Sequence, residues 1–168
     1  MQGSKSKRLR DFIILIALVV VWVVIDQITK AIVDSVVPGT TIAGPFLGIF
    51  DITLVHNTGA AWGIFDGNSL LLGIFSLLVC VLAIAYMAIA KPPASIGTTV
   101  GLALIVAGGV GNAIDRFAQQ YVIDFIRPVF IDFPVFNIAD IGVTIGVAIF
   151  IISLIAESTS HDSKGEDE

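Results

Sequence analysis

Four long apolar stretches limit what this chain can fold into. They cover about residues 12–33, 69–90, 96–114 and 138–156. A helix of about 20 apolar residues crosses a hydrocarbon core about 30 Å thick. Inside lipid the backbone must satisfy its own hydrogen bonds, so each stretch is expected to be helical. The sequence therefore predicts an all-α membrane protein with four transmembrane helices.

The composition of the 168 residues agrees with a membrane protein in one domain, 1–168. It is 56% hydrophobic and 14% charged, whereas soluble domains are about one quarter charged. The formal net charge of −5 argues against nucleic acid as a partner, because nucleic-acid binders present a basic surface. The single cysteine, Cys80, excludes an intramolecular disulfide and any metal site built from several cysteines.

The basic residues predict how the helices are oriented. They precede the first stretch or lie in the link between the second and third stretches: Lys5, Lys7, Arg8, Arg10 and Lys91. Basic loops stay on the cytoplasmic side, so both termini are predicted to be cytoplasmic and the loops 34–68 and 115–136 to face outward. Residues 157–168 are polar and acidic, which predicts a disordered cytoplasmic tail.

The two outward loops have structure of their own in this interpretation. Residues 51–55 and 121–126 are rich in β-branched and aromatic side chains, which predicts two short strands in a small extracytoplasmic β-sheet. Residues 60–65 include Trp62 and predict an interfacial loop or short helix, because tryptophan favours the boundary between membrane and water.

Four aspartates should meet at one level of the membrane. Given the topology, Asp26, Asp115, Asp124 and Asp140 all fall near the outer face. Ionisable groups near lipid usually pair or carry a function. Two carboxyls held close together share a proton, so that one acts as an acid while the other activates water. This arrangement requires neither a metal ion nor a serine or cysteine nucleophile.

The residues alone leave three of these acids as candidates. Asp115 is followed by Arg116, which would keep its carboxylate ionised and paired. Asp124 has apolar neighbours that would raise its pKa, as suits an acid–base group. Asp140 opens a helix, where the helix dipole favours the ionised form. Whether any two of them touch depends on the tertiary fold.

Other chemistry has little support in the sequence. A zinc site needs three or four ligands, and His56 is the one histidine outside the tail, so no metal is expected. A membrane carrier that uses the acids as a proton or cation relay is one alternative, although its acids should be spread along a pathway. A non-enzymatic structural membrane protein is another.

Five sequence blocks together resemble the bacterial lipoprotein signal peptidases, the signal peptidase II family. In chain order they are Asp26–Lys30 (DQITK), His56–Gly63 (HNTGAAWG), Gly108–Arg116 (GGVGNAIDR), Val122–Phe125 (VIDF) and Phe136–Asp140 (FNIAD). Any one of these blocks is weak, but five in the family's order, with the matching topology, are specific.

The resemblance implies an intramembrane aspartic endopeptidase that cleaves prolipoproteins before a diacylglyceryl-modified cysteine. By motif, the catalytic pair is Asp124 and Asp140. Ten further residues match positions that support the site or bind substrate: Asp26, Lys30, Asn57, Gly59, Gly108, Asn112, Asp115, Arg116, Asn137 and Ala139. It also implies no cofactor, a multi-pass protein of the bacterial cytoplasmic membrane with its active site near the outer face, and partners limited to these substrates and membrane lipid. A monomer is expected.

Overall fold

Four helices and a three-stranded sheet make up the protein. The computed structural model describes residues 2–89 and 94–165. The helices are α1 (Gln2–Val33), α2 (Ser69–Ile89), α3 (Ile96–Gln119) and α4 (Ile138–Gly165). The strands are β1 (Thr41–Phe46), β2 (Phe50–Asn57) and β3 (Val122–Pro128), and a short 3₁₀ turn spans Ala61–Gly63. All four helices contain segments long and apolar enough to cross a membrane, which confirms the predicted fold class.

Two of the predicted helix ends differ from those in the structure. Helix α3 continues to Gln119, beyond the predicted end at residue 114, because the charged side chains of Asp115 and Arg116 are buried rather than exposed at a helix end. Helix α4 continues to Gly165, so residues 157–165, predicted to be disordered, are helical. No proline interrupts this segment, and the Thr159 hydroxyl donates a hydrogen bond to the Ile155 carbonyl. Lys91 lies outside the described residues.

Helix α3 lies at the centre of the bundle. In its apolar segment 72% of the residues are buried, against 11%, 22% and 17% in α1, α2 and α4. Glycines let α3 and α4 touch through their backbones. A Cβ atom on Gly101 would lie 2.7 Å from the Phe150 nitrogen, and one on Gly146 would lie 2.7 Å from the Gly101 oxygen. Small residues at such crossings allow close helix packing in membranes.

The sheet is antiparallel, in the order β1-β2-β3. Strands β2 and β3 confirm the two predicted strands, and β1 is an additional edge strand. In the register of the sheet, Val55 lies opposite Asp124 and Asn57 lies opposite Val122. The pairing therefore holds the end of β2 beside Asp124, the acidic residue of β3.

A small apolar core attaches the sheet to the helices. Leu54 of β2 and Ile123 and Phe125 of β3 are buried with Val33, the last residue of α1. Ile138, the first residue of α4, packs against the same cluster. Burial of these side chains brings β3 to the ends of α1 and α4, where the acidic residues of the chain gather.

Candidate active site

Asp124 and Asp140 face a common cavity. Asp124 comes from β3 and Asp140 from the first turn of α4, and both line a cavity of about 520 Å³. Asp115, the third acid left open by the sequence, does not line this cavity. Of the three candidate acids, the tertiary structure thus brings Asp124 and Asp140 together and separates Asp115 from them.

Asn137 connects the two carboxyl groups. Its side-chain Nδ2 donates to Asp124 Oδ1 at 2.7 Å, and its backbone N–H donates to Asp140 Oδ2 at 3.1 Å. Its Oδ1 accepts the backbone N–H of Asp140 at 3.0 Å. The exchange between Asn137 and Asp140 is a capping box, which satisfies the free N–H groups at the start of α4. The same local motif that begins the helix therefore also orients both acids.

Two further amides hold the remaining carboxyl oxygens. Asn57, at the end of β2, donates to Asp124 Oδ2 at 2.8 Å. Asn112, on α3, donates to Asp140 Oδ1 at 2.7 Å. Each carboxyl oxygen of the pair therefore accepts one N–H bond, and the orientation of both groups is set by protein donors on separate elements.

The environment of Asp124 shifts its titration. Burial and, next, the nearby charge of Asp140 raise the pKa of the Asp124 carboxyl to about 7, although the hydrogen bonds from Asn57 and Asn137 act to lower it. A carboxyl with this pKa can exist in its protonated form near neutral pH, which is the property required of a general acid.

Lys30 is the centre of a buried polar cluster behind the acids. Its Nζ lies 2.9 Å from Asp26 Oδ2, 2.9 Å from Asp115 Oδ2 and 3.0 Å from Asn112 Oδ1. The Lys30 side chain is 1% exposed, and these three acceptors match the three hydrogens of an ammonium group. Gln27 also bridges the two carboxylates, at 3.2 Å to Asp26 and 3.1 Å to Asp115.

The cluster positions the site through Asn112 and Ala139. Asn112 accepts from Lys30 and also from Asn137, at 3.0 Å each, while its own amide donates to Asp140. Asp26 Oδ1 accepts the backbone N–H of Ala139 at 2.9 Å, one of the free N–H groups in the first turn of α4. Helix α1 therefore holds α4 in place one residue before Asp140.

Close backbone approach makes this arrangement possible. A Cβ atom on Gly108 would clash with the carbonyl oxygen of Ala139, so only glycine fits there. At Gly111 a Cβ atom would lie 2.6 Å from Asp26 Oδ2. Trp22, one turn before Asp26, donates from Nε1 to the Ile138 carbonyl at 3.0 Å.

Arg116 lines the same cavity and keeps hydrogen-bonding capacity. Its Nη2 donates to the Gly59 carbonyl at 3.3 Å, and the Gly59 N–H donates to Asn57 Oδ1 at 3.0 Å. The buried Nε of Arg116 has no hydrogen-bond partner among the described residues. The guanidinium thus holds the loop of Gly59 beside Asn57 and presents further N–H donors next to the cavity.

The rest of the cavity wall is mostly apolar. It includes Ile141, Thr144 and Ile145 of α4, and the segment from Phe133 to Phe136. Trp62 is 69% exposed and packs edge-on against Phe133, 5.6 Å between ring centroids, so it borders the opening rather than the interior. Across the described residues no group of three His, Cys, Asp or Glu side chains is placed to hold a metal ion.

All twelve residues named from the sequence fall in or directly behind this site. Several residues that share it were not among them, including Trp22, Gln27, Gly111 and Thr144. Thr144 follows Asp140 by four residues, so helical spacing would have placed it on the same face. His56 lies elsewhere, 2.6 Å from Asp34 and stacked on Tyr121.

Comparisons with known proteins show the family and fold that this chain is similar to. A family model described as signal peptidase (SPase) II matches residues 18–156. A lipoprotein signal peptidase of Clostridium acetobutylicum is 34% identical over 152 residues, covering 89% of this chain and 98% of the relative. One from Gloeobacter violaceus is 40% identical, covering 79% and 76%. A solved bacterial membrane enzyme superposes with a TM-score of 0.79 at 33% identity, covering 87% of this chain and 90% of that one.

Proposed function

This chain belongs to the signal peptidase II family, multi-pass membrane proteases that remove signal peptides from prolipoproteins, and we propose that it is an intramembrane aspartic endopeptidase. Asp124 and Asp140 are its catalytic pair. The observation that supports this proposal is their arrangement: two carboxyl groups on different elements, held by Asn137, line one cavity.

The proposed reaction is hydrolysis of one peptide bond. Asp140, at the N-terminus of α4, is the ionised partner, because the helix dipole stabilises negative charge there. It takes a proton from a water molecule between the carboxyls, and the water oxygen attacks the substrate carbonyl carbon. Asp124, whose pKa is about 7, gives its proton to the carbonyl oxygen.

The tetrahedral intermediate then breaks down to the products. The proton held by Asp140 passes to the amide nitrogen, the C–N bond breaks, and the hydroxyl proton returns to Asp124 as the carbonyl re-forms. The products are a carboxyl group on the signal peptide and a free amine on the mature chain, which accounts for both atoms of hydrogen and the oxygen of water. Neither step requires a covalent enzyme intermediate.

The cavity wall is suited to a lipidated peptide. The N–H donors of Arg116 can bind a backbone carbonyl of the substrate, and Asn57 and Gly59 lie directly beside it. Ile141 and Ile145 extend the wall into the membrane-spanning part of α4, which is apolar. We therefore propose that cleavage occurs before a diacylglyceryl-modified cysteine, with the acyl chains remaining in lipid.

The proposed setting is the bacterial cytoplasmic membrane. The basic residues near the N-terminus favour cytoplasmic termini, which supports a position of the sheet and the acid pair at the outer face. The enzyme then meets prolipoproteins after their lipid modification, and a monomer suffices for the proposed site because one chain supplies both acids and a donor to each of their oxygens.

The test is processing of a lipidated precursor by Asp124→Asn and Asp140→Asn. Each variant should leave the precursor uncleaved, because a neutral amide can neither activate water nor supply the acid proton. Asp66→Asn is the matched control, since Asp66 is an exposed loop carboxylate that does not line the cavity, and it should cleave normally. Wild-type processing by either catalytic variant would refute the pair, and ion flux without cleavage would favour a carrier.

A further inference from the structure

One end of the sheet carries exposed apolar side chains that the proposed reaction does not use. They lie at the β1–β2 turn and in the segment after β3, and we name them the hairpin patch: Phe46, Leu47, Ile49, Phe50, Val129 and Phe130. The Val129 N–H donates to the Ile49 carbonyl at 3.0 Å, and the Phe46 and Phe50 rings lie 5.3 Å apart, so the members are adjacent. Contiguous exposed apolar surface of this kind marks an interaction site.

The turn at the tip carries a residue that its backbone disfavours. Leu47 and Gly48 have φ values of 51° and 70°, and the Ile49 N–H donates to the Phe46 carbonyl at 2.9 Å. A β-turn with positive φ at both central positions favours Asn-Gly or Asp-Gly. Leucine there is strained, and its side chain is 95% exposed. A leucine side chain this exposed stays in contact with water after folding, whereas contact with an apolar phase would remove its apolar surface from water.

The sheet register shows which way the patch faces. Residues alternate between the two faces of a strand, so the face that carries Asp124 and Val55 also carries Ile126 and Ile52, then Pro128 and Phe50. Asp124 shares its cavity with Ile145, two turns inside the membrane-spanning helix α4. This face of the sheet is therefore turned toward the membrane.

The opposite face at the same end is polar. Asp51 pairs with Arg127 at 2.5 Å, and Arg127 also donates to Thr41 at 3.4 Å. Thr41 and Thr53 share a hydrogen bond at 2.9 Å. The β1–β2 end of the sheet is thus amphipathic, with an ion pair on one face and two tilted, neighbouring phenylalanine rings on the other.

We propose that the hairpin patch is a lipid-binding surface that inserts into the outer leaflet of the bilayer spanned by the four helices. The occupant is the lipid acyl region because the patch continues the membrane-directed face of the sheet and contains no charged side chain. The contact fixes the tilt of the sheet over the membrane, and with it the height of Asp124. Binding rests on apolar burial, so it needs neither anionic lipid nor low salt.

The experiment places an environment-sensitive fluorophore at Leu47→Cys in proteoliposomes of zwitterionic lipid, without substrate. Thr41→Cys is the matched control on the polar face, and the unmodified chain reports any labelling of the buried Cys80. The Leu47 probe should be blue-shifted and quenched by a nitroxide on the lipid chain, and not by iodide, while the Thr41 probe shows the reverse. Quenching of the Leu47 probe by iodide alone would overturn the proposal.

Two further results separate lipid from other occupants and from misfolding. If protection of the Leu47 probe from iodide depends on the protein-to-lipid ratio, the patch contacts a second copy of the chain. That result would also overturn the lipid-binding proposal. Leu47→Asn suits the turn better than leucine, so its thermal unfolding in detergent should be unchanged or later. In the same variant a probe at Phe130→Cys should lose quenching by the lipid nitroxide, and full retention of that quenching would contradict the role of Leu47 as the anchor.

Discussion

Replacing Lys30 with methionine tests whether the buried cluster depends on charge. Methionine keeps most of the volume and the unbranched shape of the lysine stem, so packing alone predicts a cost below about 1.5 kcal/mol. The ammonium, however, contacts Asp26 and Asp115 at 2.9 Å each and is 1% exposed. Its loss leaves two carboxylates buried side by side without a cation.

The expected loss follows from that uncompensated charge. Removing one partner of a buried ion pair costs about 3–5 kcal/mol of unfolding free energy, and here one cation serves two carboxylates. Neutralising one of them should recover part of the loss. In Lys30→Met/Asp115→Asn we therefore expect a coupling of about 1–3 kcal/mol in the favourable direction.

The measurement is reversible unfolding in detergent for the wild type, the two single variants and the double variant. Lys5→Met is the control, because Lys5 is exposed in the first turns of α1, and its effect should stay within about 0.5 kcal/mol. A loss below about 1.5 kcal/mol for Lys30→Met, or strict additivity in the double variant, would refute the argument that Lys30 acts through charge.

Three further predictions concern the acid pair and the helix contacts. The proposed role of Asp124 needs its protonated form, so kcat/KM for a lipopeptide should fall as pH rises through about 7, and a flat profile to pH 9 or so would contradict it. The pKa of Asp124 is raised from about 3.9 in the unfolded chain. The unfolding free energy of the wild type, compared with that of Asp124→Asn, should therefore also fall as the pH rises from about 4 to about 7. Gly101→Val should abolish folding, since even a Cβ atom would meet the backbone of α4 at 2.7 Å, whereas Ile152→Ala on the exposed side should express normally. Trp22→Phe should lower unfolding free energy by about 0.5–1.5 kcal/mol through its lost hydrogen bond to α4, and an unchanged value would show that this bond is dispensable.

The fold could be predicted from the sequence to the extent that local patterns determine it. Apolar runs of membrane-spanning length predict the four helices, and β-branched residues predict β2 and β3. Strand β1 contains Gly44 and Pro45, which argue against a strand, and it forms only because its backbone pairs with β2. The predicted end of α3 is too early, because the sequence cannot show that a lysine of another helix neutralises Asp115 inside the protein.

The candidate site likewise has features that the sequence predicts and features that depend on the tertiary structure. The residues alone left Asp115, Asp124 and Asp140 open as acids, and the family motifs implied the last two. The sequence by itself predicted that four acidic side chains would gather at one face of a helical bundle, because ionisable groups are costly in the apolar part of a membrane. Only the tertiary packing decided which partners they have: Lys30 of α1 neutralises Asp115 of α3, and Asn137 is left to join Asp124 to Asp140. Such contacts depend on distances between helices, and those are set by how closely Gly108 and Gly111 let the backbones approach.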